Sequence, residues 1–146
     1  MNWLQELSND KTLQTKFYDF LTSYGFSGLE QAMQVYADMQ QDYFCNTKTS
    51  TSKIKIRDIY YLEIHGHNIV AHTEHDSFRK YGSLNNELKI LSSHGFVKCN
   101  QSCLVALSKI KTIHDNSIIL TNGETVHMTR NYASKVIMAF HNNVQR

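Results

Sequence analysis

"IRDIYYLEIHGHNIVAHT", residues 56–73, decides the fold class of this chain. Two runs rich in β-branched and aromatic residues, "IYYLEIH" and "NIVAHT", flank Gly66, His67 and Asn68, where a turn is wanted. That grammar predicts a β-hairpin, and its neighbours extend it into a sheet. Upstream, "KIKI" alternates, and downstream "SFRKYG" reads as a further strand. "SLNNELKILSSHG" then predicts a short helix, with Ser83 as cap, Leu84, Leu88 and Leu91 on one face, and Gly95 as the stop. Beyond it, "FVKC", "CLVAL", "KIKTIH", "SIILTNG" and "ETVHMT" are strand-like pieces joined by tight turns, with Asn122-Gly123 the strongest hairpin signal. Many strands and one central helix predict a mostly β domain.

Before residue 53 the pattern differs. "NTKTSTSK", Asn46 to Lys53, is polar and without periodicity, and it reads as a linker. The expected organisation is therefore a helical segment over residues 1–45, a linker over 46–52 and the β domain over 53–146. In the first segment Leu13, Phe17, Phe20, Leu21 and Tyr24 recur at helical spacing, as do Leu29, Met33, Tyr36, Met39 and Tyr43. Gly25 can end the first helix, and Ser27 with Glu30 forms a capping box for the second. The prediction is an α-helical hairpin, preceded by a short turn around Trp3 to Leu7. Its apolar stripe must pack on the β domain or on a second copy.

The 146 residues are 41% apolar, enough for one domain with a core plus an appendage. No run approaches the roughly eighteen apolar residues of a membrane span, and "NWLQELSNDK" after Met1 lacks the character of a signal peptide. A cytoplasmic location is expected. Cys45, Cys99 and Cys103 are odd in number and include no CxxC pair, so reduced thiols are the default. Residues 1–52 carry three Lys/Arg against six Asp/Glu, and residues 53–146 carry twelve against seven. This asymmetry fits a basic domain that meets a polyanion.

Four histidines, His65, His67, His72 and His75, crowd the central hairpin and raise the question of a metal. The turn at Gly66 separates His65 from His67, and neither HExxH nor a cysteine at ligand spacing accompanies them, so no metal site and no cofactor is expected. An enzyme is not expected either. Ser102 lies outside any nucleophile elbow, no glycine loop cradles a phosphate, and Cys99 and Cys103 read as small buried residues.

Four ordered features add what periodicity cannot: "DIYYLEI" from Asp58, "GSLNNEL" from Gly82, "FVKCNQSCLV" from Phe96 and "NGETVHMTRNY" from Asn122. Together, over roughly residues 53–140, they resemble a LytTR DNA-binding domain, the output module of bacterial response regulators of the accessory-gene-regulator and competence types. The resemblance implies an elongated fold of about ten strands in three small antiparallel sheets, whose loops enter successive major grooves. It also implies base contacts at His67, Gln101 and Arg130. Side-chain geometry supplies their roles: Arg grips guanine O6 and N7, Gln grips adenine N6 and N7, and His donates to an acceptor such as guanine N7. Asn100, Lys98, Lys80, Lys109 and Asn131 are additional candidate DNA contacts, the lysines toward phosphates. Two positions depart from the family pattern, Asn100 standing where His is common and Ala106 where Asn is usual.

The expected function is a sequence-specific transcription regulator bound to repeated sites on double-stranded DNA, as a homodimer. The alternative is a protein-interaction module whose N-terminal helices dock a regulatory protein, with DNA binding secondary.

Overall fold

A computed structural model describes residues 2–143, which divide after Gln40 into two units. Residues 144–146, the end of the expected β domain, lie outside the described residues.

The first unit is helical. α1, Trp3–Asn9, begins where the Asn2 side chain accepts from Gln5 N, and α2, Lys11–Met39, begins where Asp10 accepts from Leu13 N at 2.9 Å. Gly25 breaks α2 as expected: its φ of 70° and ψ of −173° lie outside the helical region, in backbone that favours glycine. None of the described residues up to Gln40 is buried, and Trp3, Tyr18 and Phe26 are 66%, 70% and 75% exposed.

The second unit begins with a correction. The stretch expected to be a linker is the turn of a β-hairpin, in which β1, Asp42–Asn46, pairs antiparallel with β2, Thr51–Lys55. Its small polar residues are turn formers: Thr47 Oγ1 accepts from Ser50 N at 3.1 Å, and Thr47 N donates to Ser50 O at 2.9 Å. Tyr43, expected at the end of the second helix, instead alternates inward with Cys45 on β1. The helical spacing of Tyr43 with Met39 was a coincidence of period.

Five strands form the largest sheet: β3, Tyr61–His65; β4, Asn68–His72; β5, Ser77–Tyr81; β6, Phe96–Asn100; and β7, Cys103–Ala106, in the order β5-β4-β3-β7-β6. A third sheet holds β8, Ile110–His114; β9, Ser117–Leu120; and β10, Thr125–His127, in the order β10-β9-β8. Among the described residues, ten strands in three antiparallel sheets match the expectation. The central helix also stands where the sequence placed it, as α3, Leu84–Leu91, capped by Ser83 and stopped at Gly95, whose φ is 79°. A second helix in this unit was not anticipated. α4, Arg130–Asn143, contributes the buried Val136 and packs Tyr132, Ala139 and Phe140 on the core.

Two cores flank the five-stranded sheet, and β7 serves both. Leu104 and Ala106 join Leu62, Ile69, Leu91 and Phe96 on one side. Cys103 and Val105 join Ile118, Leu120, Met128 and Val136 on the other. A strand buried on both faces reads as an apolar run, as "CLVA" does. Each large aliphatic residue enclosed here stabilises by about 1.5–3 kcal/mol.

Candidate nucleic-acid interface

Strand register brings two short loops to one end of the five-stranded sheet. His65 pairs with Asn68, which leaves Gly66 and His67 as a two-residue loop, and Gly66 takes a φ of 66°. Glu63 pairs with Cys103, so the Gln101–Ser102 loop between β6 and β7 lies at the same end of β3. A hydrogen bond from Ile64 N to Ser102 O, 2.9 Å, ties the second loop to β3. Gly82 N donates to His67 O at 3.0 Å, which fastens the first loop to the end of β5. His67 and Gln101 are both exposed.

Arg130, the first residue of α4, is exposed and is anchored to the same end by its neighbours. Thr129 N donates to Cys99 O at 3.0 Å, and Asn100 Nδ2 donates to His127 O at 2.8 Å. Asn131 follows Arg130 on the exposed first turn of α4. Lys98 lies with its Nζ 5.7 Å from the centre of the Tyr132 ring.

The remaining candidates are placed differently. Asn100 holds the loop: besides its bond to His127, its Oδ1 accepts from Ser102 N at 2.8 Å. Both ends of its amide are thus engaged within the protein. Lys80 Nζ lies 2.7 Å from Glu87 Oε1 and 4.7 Å from the Tyr43 ring centre, in an ion pair at the core. Lys109 sits toward the opposite end of β3, its Nζ 4.8 Å from the Tyr60 ring centre, beside Lys53, Asp58 and His75. The fold does not bring Lys109 to the two loops.

Two of the four histidines, His65 and His72, converge on the Glu63 carboxylate. His72 stacks on Tyr61 with ring centres 4.2 Å apart, and its Nε2 lies 2.8 Å from Glu63 Oε1. His65 Nε2 lies 3.6 Å from the same oxygen, whereas His75 Nε2 lies 3.9 Å from Glu74 Oε1. Among the described residues, no group of three or more His, Cys, Asp or Glu side chains is arranged to hold a metal ion. No helix in the described residues is long and apolar enough to cross a membrane.

The family model for the LytTr DNA-binding domain matches residues 49–141. The chain belongs to the LytTR family. The match runs from the β1–β2 turn into α4, so it takes in β2 and leaves β1 before it. A similar solved structure is the LytTr DNA-binding domain of a response regulator from Bacillus cereus, at 21% identity and a TM-score of 0.62. That likeness covers 68% of this chain and 96% of the other, and it supports the fold. No curated protein matches the chain. As a LytTR domain, the second unit is a DNA-binding domain.

One positioning role had escaped the sequence reading. Asn100 joins β6 to the end of β10, with Thr129 making the parallel link. The Thr129 link is made by its backbone N–H, so no residue type in the sequence signalled it.

Proposed function

We propose that the chain is a sequence-specific transcription regulator that binds double-stranded DNA, with His67, Gln101 and Arg130 touching base edges in successive major grooves. The observation that carries this reading is that the backbone around all three exposed side chains is hydrogen-bonded to one end of the five-stranded sheet. Two-residue loops held this way present a side chain at little entropic cost, which favours readout of bases. Lys98 and Asn131 lie beside them as phosphate contacts, which position the protein without encoding sequence. Lys80 and Lys109 take no part.

The regulator works in the cytoplasm and binds repeated sites as a homodimer joined through the first unit. The dimer is supported by the exposed apolar side chains of α1 and α2, which lie on a segment too short to bury them alone. The same surface favours a second reading, in which these helices dock a regulatory protein.

The test is selection from a random duplex pool at about 0.15 M salt, where non-specific phosphate attraction is already weakened. Enrichment of a short repeated element is expected, with a spacing set by the dimer. Salt-sensitive binding without enrichment excludes sequence readout, and capture by a partner through residues 1–40 then becomes the leading reading.

A further inference from the structure

We propose that one face of β3, β4 and β5 is a further DNA-contacting surface, on which Arg79 holds a backbone phosphate while His65 and His72, gathered on Glu63, take up protons as DNA binds. The surface adjoins the loops proposed above to read bases, and its assignment rests on that placement of DNA.

Strand register builds the surface. Side chains alternate along a strand, so Glu63 and His65 on β3 share a face with Asn68 and His72 on β4 and with Arg79 and Tyr81 on β5. His65, Asn68 and Tyr81 form the row beside the Gly66–His67 turn, and Arg79 stands one row behind, about 7 Å along the strand. Asn68 and Arg79 are exposed, and Tyr81 is 58% exposed. The next cation, Lys80, points through the sheet to Glu87, whereas no ion pair among the described residues engages Arg79. A guanidinium left open beside a DNA-reading turn matches the geometry of a phosphate. When His67 enters a groove, the backbone at the groove edge passes over the flanking surface, and that surface carries this row of exposed polar side chains.

Glu63 is the only acid in these three strands. Its charge opposes a phosphate, but two imidazoles stand on the same oxygen: His72 Nε2 at 2.8 Å and His65 Nε2 at 3.6 Å. With both imidazoles neutral this cluster carries one negative charge; with both protonated it carries one positive charge. Incoming phosphates favour the second state. By reciprocity, protons that DNA draws onto the cluster tighten the hold on DNA.

The other groups around Glu63 keep one charge state across the imidazole range or lie at its edge. The Tyr61 phenol, pushed up to about 12 chiefly by burial, stays protonated. Cys103, which pairs with Glu63 from β7, is a buried thiol. Glu124 acts on Tyr61 by its charge, and His127 of β10 lines the same cavity of about 290 Å³ as Glu63 and His65. Asn100 and Ser102, which form one reading loop, line that cavity too, so the proton site and the loop are neighbours.

The experiment measures Kd of the full chain for the selected duplex and a scrambled one from about pH 8 to about pH 6, where imidazoles titrate, at about 0.15 M salt. At that salt one phosphate contact is worth about fivefold. Both duplexes are expected to bind about fivefold more tightly at the lower pH. Heats of binding in two buffers of different ionisation enthalpy should report net proton uptake near neutrality. His65→Gln combined with His72→Gln keeps parental affinity at about pH 8 and loses the tightening, whereas His67→Gln retains it on the scrambled duplex. Arg79→Gln weakens binding to both duplexes by about fivefold and lowers the salt slope by about one. A parental slope in Arg79→Gln, full tightening in the double variant, tightening that disappears with His67 instead, or no proton uptake by the unaltered chain overturns the proposal. Because proton uptake is read on the unaltered chain, a misfolded variant does not obscure the result. Failure to enrich any sequence overturns base reading, while the scrambled duplex still judges this surface.

Discussion

Lys80 is held 2.7 Å from the Glu87 carboxylate, which is only 5% exposed and also accepts from the Tyr43 hydroxyl. One buried acid thus joins β1, β5 and α3. Lys80→Ala leaves that charge without its cation and is expected to destabilise the fold by about 3 kcal/mol. Denaturant unfolding measures this. At temperatures where the variant is folded, its DNA affinity should equal that of the parent, and a selective loss of DNA binding would restore Lys80 to the interface.

His67→Ala and Arg130→Ala are each expected to lose roughly 1–3 kcal/mol of specific binding while leaving non-specific binding nearly unchanged. Gln101→Ala should broaden the preference at one position of the enriched element. Competition binding against the selected and scrambled duplexes separates these effects. Equal losses on both duplexes would make the three residues phosphate contacts.

Asn100 makes a different kind of contribution. Asn100→Asp keeps the acceptor for Ser102 N but loses the donor to His127 O, whereas Asn100→Ala loses both. Each lost bond should cost about 0.5–1.5 kcal/mol of stability. Specific binding should fall in both variants, and the Asp carboxylate adds repulsion from the DNA phosphates. An Ala variant with parental affinity would show that the link to His127 does not position the loops.

Stability should decline in alkali. Burial first, then the charges of Glu124 and Glu63, push the Tyr61 phenol up to about 12, and burial with Glu87 pushes Tyr43 up as well. Both phenols keep their protons when folded, whereas an unfolded tyrosine loses its proton near pH 10. Their contribution is therefore complete below about pH 10 and is lost as pH rises through the folded values. Denaturant midpoints from about pH 8 to 12 should show the decline, and Tyr61→Phe should flatten it.

Most of the second unit was legible because its strands are short, alternating and separated by residues that demand turns. Gly66, Gly95 and Asn122-Gly123 each marked a real boundary. β1 was hidden because Tyr43 continued a helical spacing from Met39, and because Thr47 to Ser50 resemble both a turn and a linker by composition. α4 was hidden by the strand-like "VHMT" before it, although Tyr132, Val136, Ala139 and Phe140 carry helical spacing. At the proposed interface, exposed loop residues could be named from the family pattern. The engagement of Lys80 with Glu87 could not, because it depends on β1 packing beside β5.

The loops proposed to face the bases contain two residues each, and neither His67 nor Gln101 belongs to a core, whereas the residues of β7 alternate between two. Divergence can therefore proceed unequally along this chain. A duplicated copy could acquire a new operator by exchanging a side chain at position 67 or 101 with almost no penalty in folding. Between those loops β7 must stay nearly constant, so descendants with different targets would keep the same scaffold.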